Sequence, residues 1–94
     1  MKNKKFKNAD EFGSFLGLSE VDMELVKQKK KLIAKLTKAR NDQGLTQGEL
    51  AKMLDTKQPA IARMESGLVG EVSLDFLAKV AWILDISFTF KKTA

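Results

Sequence analysis

"LTQGELAKMLDTKQPAIARMESG", residues 45–67, is the stretch whose reading decides the fold. It contains the only proline of the chain, Pro59, inside an otherwise helix-favouring run. A proline in a helix interior removes a backbone hydrogen bond and clashes with the turn before it. In the first turn of a helix that harm disappears, because the missing N–H has no partner there anyway. Pro59 therefore places a helix start near Lys57 and divides the run into two short helices. The first is capped by Thr46 and buries Leu45, Leu50, Met53 and Leu54. Asp55 and Thr56 form a tight turn. The second helix runs from about Lys57 to Glu65 or Ser66, with Gly67 as its stop.

Two short helices joined by such a turn make a helix-turn-helix arrangement, whose geometry is demanding. Ala51 lies where the helices cross most closely, and a larger side chain would push them apart. Leu50, Leu54, Ile61 and Met64 are spaced to bury one side of the pair. The turn needs a residue that tolerates positive φ, and Asp55 is the one available.

Upstream, Ser19 and Asp22 match a capping box with aspartate in place of the usual glutamate. A helix from Glu20 to about Asn41 follows. Its apolar stripe is Leu25, Leu32, Leu36 and Ala39, with Val21 and Ile33 nearby. Lys27, Lys29, Lys30, Lys31, Lys35, Lys38 and Arg40 line the other side, as either a solvated face or a phosphate-facing one. Gly44 ends this helix. Downstream, "LVGEV" reads as a loop and Ser73 caps a fourth helix, "LDFLAKVAWIL". Leu74, Leu77, Ala81 and Leu84 face the core. Phe76, Val80 and Ile83, with Trp82 between, are either a wide core stripe or a dimer interface. "ISFTFKK" alternates, with Ile86, Phe88 and Phe90 on one side, which is a strand pattern. One isolated strand leaves its backbone groups unpaired, so pairing across a dimer is expected. Residues 1–18 are basic and glycine-broken, with Phe12, Phe15 and Leu16 as apolar points. They read as a flexible segment that is either one fraying turn or orders on a partner. The expected division is thus 1–18, a 19–85 domain with its motif at about 46–66, and an 86–94 dimerisation strand and tail.

Composition limits the chemistry. The chain has 94 residues, 44% apolar and 31% charged, with a net charge of +5. That suits one small soluble domain, and the basic balance favours an anionic partner such as nucleic acid. Histidine, cysteine and tyrosine are all absent. The commonest general base and the thiolate nucleophile are therefore missing, and no disulfide or cysteine zinc site is possible. No metal site and no cofactor are expected, and an enzyme is the least favoured class. The apolar runs are too short to span a membrane, and the lysine-rich start lacks the apolar core of a secretion signal, so a cytoplasmic location is expected.

Residues 45–67 resemble the helix-turn-helix of the Cro and phage-repressor (XRE) family. The matching residues are Leu45, Thr46, Gln47, Glu49, Leu50, Ala51, Gln58, Ile61, Arg63, Glu65 and Gly67. The layout of the whole chain is similar to the HigA-type antitoxins of toxin–antitoxin pairs, with a "FLGLS" lead into the first helix and a short closing strand. The sequence departs from the family pattern at Gly48, in place of a glutamate, at Asp55, in place of the turn glycine, and at Lys57, in place of a capping serine or threonine.

The resemblance implies an all-α, compact, lambda-repressor-like domain with a C-terminal β-strand paired across a dimer. It implies that the second helix of the motif enters the major groove of double-stranded DNA. Its exposed residues are Lys57, Gln58, Pro59, Ala62, Arg63 and Ser66. Gln58 suits adenine and Arg63 suits guanine, each through two hydrogen bonds. Pro59 and Ala62 offer apolar contact. Gln47 resembles the family's phosphate clamp, and Lys52 and Ser66 are further phosphate candidates. Arg40 and Glu65 correspond to a partly buried ion pair between the first helix and the recognition helix. The expected function is a repressor on a palindromic operator, acting as a homodimer. A further expectation is an antitoxin that silences a toxin through Phe12, Phe15 and Leu16 or the first helix. The alternative is an XRE-family regulator with no toxin partner.

Overall fold

The computed structural model describes residues 19–90. The expectations for Phe12, Phe15 and Leu16, and for the tail beyond residue 90, lie outside the described residues. Among the described residues four helices form: α1 (Glu20–Asp42), α2 (Gln47–Met53), α3 (Gln58–Glu65) and α4 (Leu74–Leu84). A 3₁₀ turn, Val69–Glu71, links α3 to α4.

Local chemistry explains where each helix begins. The Ser19 hydroxyl accepts from the Asp22 N–H while the Asp22 carboxylate accepts from the Ser19 N–H, a reciprocal capping box. Thr46 and Glu49 repeat the arrangement at α2, at 3.0 and 2.8 Å. Ser73 caps α4 through the Phe76 N–H. Only α3 lacks a side-chain cap: Lys57 stands at the cap position without such a bond, and Pro59 is the second helical residue. The fixed φ of proline stands in for the absent cap.

Three helices end alike. After α1, Gly44 adopts φ 72° and the Leu45 N–H donates to the Arg40 carbonyl. After α2, Asp55 adopts φ 55° and the Thr56 N–H donates to the Ala51 carbonyl at 2.9 Å. After α4, Asp85 adopts φ 58° and the Ile86 N–H donates to the Ala81 carbonyl at 2.9 Å. Each is a left-handed residue followed by a six-to-one bond, the arrangement that satisfies orphan carbonyls and turns the chain sharply.

One core joins all four helices. It contains Leu32, Ile33, Leu36 and Ala39 of α1, Leu50 and Ala51 of α2, Ile61 and Met64 of α3, Val72, and Leu77, Val80, Ala81 and Leu84 of α4. α2 packs on α3, while α1 packs on α3, α4 and the 3₁₀ turn. Polar side chains of α1, and Gln43 just after it, bind the chain that passes over the helix. Lys29 Nζ donates to the Val72 carbonyl at 2.8 Å, Lys35 Nζ to Ser87 at 2.7 Å and Gln43 Nε2 to Leu84 at 2.8 Å. Part of the lysine-rich face is therefore structural.

The C-terminal segment departs from expectation. No strand forms among the described residues, and residues 86–90 are irregular. The reversal at Asp85 folds the segment back onto its own domain, where Ile86 and Phe88 pack against the core. Phe90 remains half exposed, its ring edge-on to Phe88 at 5.5 Å. Within the single chain, the period-two pattern places alternate side chains, Ile86 and Phe88, on the core. Val80 is also corrected: it is fully buried in the core and has no surface to offer a dimer. Phe76 and Ile83 are half-buried against that core. Met53 is exposed, as are Val21 and Leu25, because the first two turns of α1 carry the apolar stripe beyond the core.

Candidate nucleic-acid interface

The outer face of α3 follows from helical spacing. Ile61 and Met64 point into the core, so Gln58, Pro59, Ala62, Arg63 and Ser66 are left on the opposite side. Gln58, Pro59, Arg63 and Ser66 are exposed, Ala62 is half-buried, and Lys57 is exposed at the helix start. The residues nominated from sequence for the groove thus share one surface. Lys52, in the last turn of α2, is also exposed.

Behind that surface runs a chain of hydrogen bonds. Arg40 Nε donates to Glu65 Oε2 at 2.6 Å, and Arg40 Nη2 to Oε1 at 3.0 Å. This is a two-pronged guanidinium–carboxylate pair with both side chains about a tenth exposed (11% and 8%). Arg40 Nη1 also donates to the Leu45 carbonyl, fixing the loop before α2. Glu65 Oε1 accepts again, from Gln47 Nε2 at 2.9 Å. Gln47 Oε1 then accepts from Gln58 Nε2 at 2.6 Å. The sequence indicated the Arg40–Glu65 end. It did not indicate that the same carboxylate would anchor Gln47, nor that Gln47 would hold Gln58.

The electrostatics agree with the geometry. Burial pushes the Glu65 carboxyl up, but hydrogen bonds from Arg40 and Gln47, with the charge of Arg40, outweigh it and leave the group below its ordinary value. Hydrogen bonding to Glu65 holds Arg40 above its ordinary value against the opposing effect of burial. Backbone and hydroxyl hydrogen bonds from Thr46 lower Glu49. No buried side-chain nitrogen or oxygen among the described residues lacks a partner.

This arrangement leaves Gln58 able to read a base edge. One amide hydrogen is committed to Gln47. The other hydrogen and the carbonyl oxygen remain, the donor–acceptor pair that adenine N7 and N6 require. Gln47 has both ends of its amide engaged and one hydrogen free for a phosphate oxygen. Arg63 sits beside Glu71 at 3.8 Å with both side chains more than half exposed, a weak pair that leaves the guanidinium available. The Ser66 hydroxyl donates to the Arg63 carbonyl at 2.6 Å and terminates the helix. Its donor is therefore already in use, which weakens it as a phosphate contact.

Among the described residues no group of three or more acidic, histidine or cysteine side chains is placed to hold a metal ion. No helix among them is long and apolar enough to cross a membrane. A family model described as helix-turn-helix matches residues 36–91, well over half of the chain. No curated protein and no solved structure gives a significant match.

Proposed function

The chain belongs to the helix-turn-helix family, in its XRE branch, and from that premise we propose that it represses transcription by binding a two-fold operator as a dimer. Membership makes it a DNA-binding regulator; the sign of regulation, the dimer and the palindrome are the proposal. The observation that carries it is Gln58, exposed on the outer face of α3 and held by Gln47, with one amide donor and its carbonyl oxygen still uncommitted. A side chain fixed before binding loses less rotamer entropy when it meets a base. No catalytic role is assigned to any residue.

Selection from a random pool of double-stranded DNA tests this reading. The expected product is an inverted repeat whose half-site centres lie about 10 base pairs apart or a multiple of that. A pool that stays unenriched, or an unpaired single motif, overturns it.

The antitoxin role is a finer part of the proposal. It is supported by the layout of the chain and by Val21 and Leu25, which extend an apolar stripe into solvent on the first turns of α1. Such a stripe offers a surface for a protein partner. Co-expression with the product of the adjacent reading frame decides this. An antitoxin relieves growth arrest caused by that product and co-purifies with it. If the adjacent product is harmless, the chain is a regulator with no toxin partner.

A further inference from the structure

An acidic side chain stands beside the arginine of the α3 surface. Arg63 Nε lies 3.8 Å from Glu71 Oε2, with both side chains more than half exposed. That separation is too long for a hydrogen bond, and in water such a pair contributes little to the fold. A carboxylate next to a DNA-facing cation also opposes the phosphates. Neither stability nor general affinity for DNA therefore accounts for Glu71.

The fold fixes its place. Glu71 closes the 3₁₀ turn Val69–Glu71, and its N–H donates to the Leu68 carbonyl at 2.9 Å. The next residue, Val72, is buried in the core. Lys29 reaches across from α1, and its Nζ donates to the Val72 carbonyl at 2.8 Å and to the Val69 carbonyl at 3.5 Å. These two carbonyls bracket Gly70 and Glu71. The turn packs on both α1 and α3, so the backbone of Glu71 is held relative to the recognition helix. The carboxylate approaches Arg63 at Nε. The terminal Nη groups stay open for the two bonds to guanine O6 and N7.

We infer that Glu71 is a positioning residue for DNA readout, holding the Arg63 guanidinium toward the base edge and away from the phosphates. The inference rests on the reading above, in which α3 faces the groove and Arg63 reads a guanine. In the free protein water screens the pair. Against DNA that water is displaced, the effective dielectric falls, and the same two charges interact more strongly. An arginine without this partner can turn to a phosphate on any sequence. With it, such a turn leaves a carboxylate uncompensated beside the backbone. At a guanine both demands are met together, Nε by Glu71 and Nη by the base. Glu71 thus weakens binding to all DNA and weakens the wrong sequences most.

Glu71→Gln tests this, because the side chain keeps its size and is exposed enough to leave the fold intact. The probes are a duplex enriched by the wild type from the random pool, the unenriched pool, and the enriched duplex with one G·C pair changed to A·T. That pair is the one whose preference Arg63→Ala abolishes. Glu71→Gln is expected to bind the unenriched pool several-fold more tightly, with a salt slope steeper by about 0.9, the mark of one further phosphate contact. Its preference for the guanine falls roughly fivefold, a share of what a two-bond contact supplies. In an Arg63→Ala background, Glu71→Gln changes no base preference, because the effect passes through Arg63.

The inference is overturned if Glu71→Gln raises affinity for all three DNAs alike, as a bulk charge would. It is equally overturned if base preference shifts as much in the Arg63→Ala background. A wild-type protein that prefers no sequence overturns the groove reading and this inference with it. A wild-type preference that survives Glu71→Gln overturns this inference alone.

Discussion

Replacing Glu65 by alanine removes the shared acceptor of Arg40 and Gln47 while leaving a guanidinium that is about a tenth exposed. Breaking a buried pair from one side costs about 3–5 kcal/mol, mostly because the remaining charge is uncompensated. The residual exposure of Arg40 lets some water reach it, which favours the low end, about 3 kcal/mol. A domain of this size has on the order of 5–10 kcal/mol in total. The variant should therefore fold, with a melting temperature lower by roughly 12–24 °C. Urea unfolding followed by circular dichroism should show a lower midpoint at unchanged slope. Replacing both partners by apolar residues, Arg40→Met with Glu65→Leu, should recover most of the loss, since no lone charge remains. The lowered pKa of Glu65 also fixes the direction of the pH response. Its contribution is complete above the unfolded carboxylate value of about 4.3 and is lost as pH falls through the lower folded value. Glu65→Gln should flatten that acid limb. A Glu65→Ala protein within about 1 kcal/mol of wild type would refute the assignment of a stabilising buried pair.

Other consequences are smaller. Gln58→Ala should lose about 1–3 kcal/mol on the selected operator and little on random DNA, while Lys52→Ala should weaken both and reduce the salt slope, as read by gel shift across a salt series. Gly48→Ala should raise stability by about 0.5–1 kcal/mol, because the added Cβ would meet only the Thr46 hydroxyl, at an ordinary 3.9 Å; a thermal melt checks this. Phe88→Ala should cost about 2–3 kcal/mol in urea, since the ring is half-buried on the core rather than free for a partner strand.

The parts of the fold legible in the sequence were those set by neighbours along the chain. Ser19 and Thr46 as caps, Pro59 in the first turn of α3, and Asp55 in the left-handed turn all follow from interactions within a few residues. The same logic applied to Asp85 would have predicted the reversal after α4, but the alternation of Ile86, Phe88 and Phe90 suggested a strand. A period of two does not distinguish a paired strand from an irregular segment lying on a core. Met53 faces solvent despite its apolar spacing, because α2 is short and only Leu50 and Ala51 face α3 squarely. The face of α3 was legible because helical spacing fixes it once Ile61 and Met64 are inward. The link from Glu65 through Gln47 to Gln58 was not, since it joins residues 18 and then 11 positions apart whose meeting depends on the tertiary fold. The sequence sets Trp82 between Phe76, Val80 and Ile83, in a wide core stripe or a dimer interface; the structure places it outside the core, the most exposed large apolar side chain of the described residues.

The hydrogen-bond chain from Arg40 to Gln58 reverses at Glu65: Arg40 donates to the carboxylate, and from there Glu65 and then Gln47 each present an acceptor toward the groove, the last being the Gln47 carbonyl oxygen. Whatever occupies position 58 must therefore present a donor behind it. Glutamate there would set a carboxylate against a carbonyl, and an apolar residue would leave the Gln47 oxygen to water. Lysine and arginine satisfy the link, though they would favour guanine over adenine. The choice of base at this position is thus constrained by Gln47, the residue behind it. A change of operator through position 58 would move among donor side chains or begin with a change at position 47.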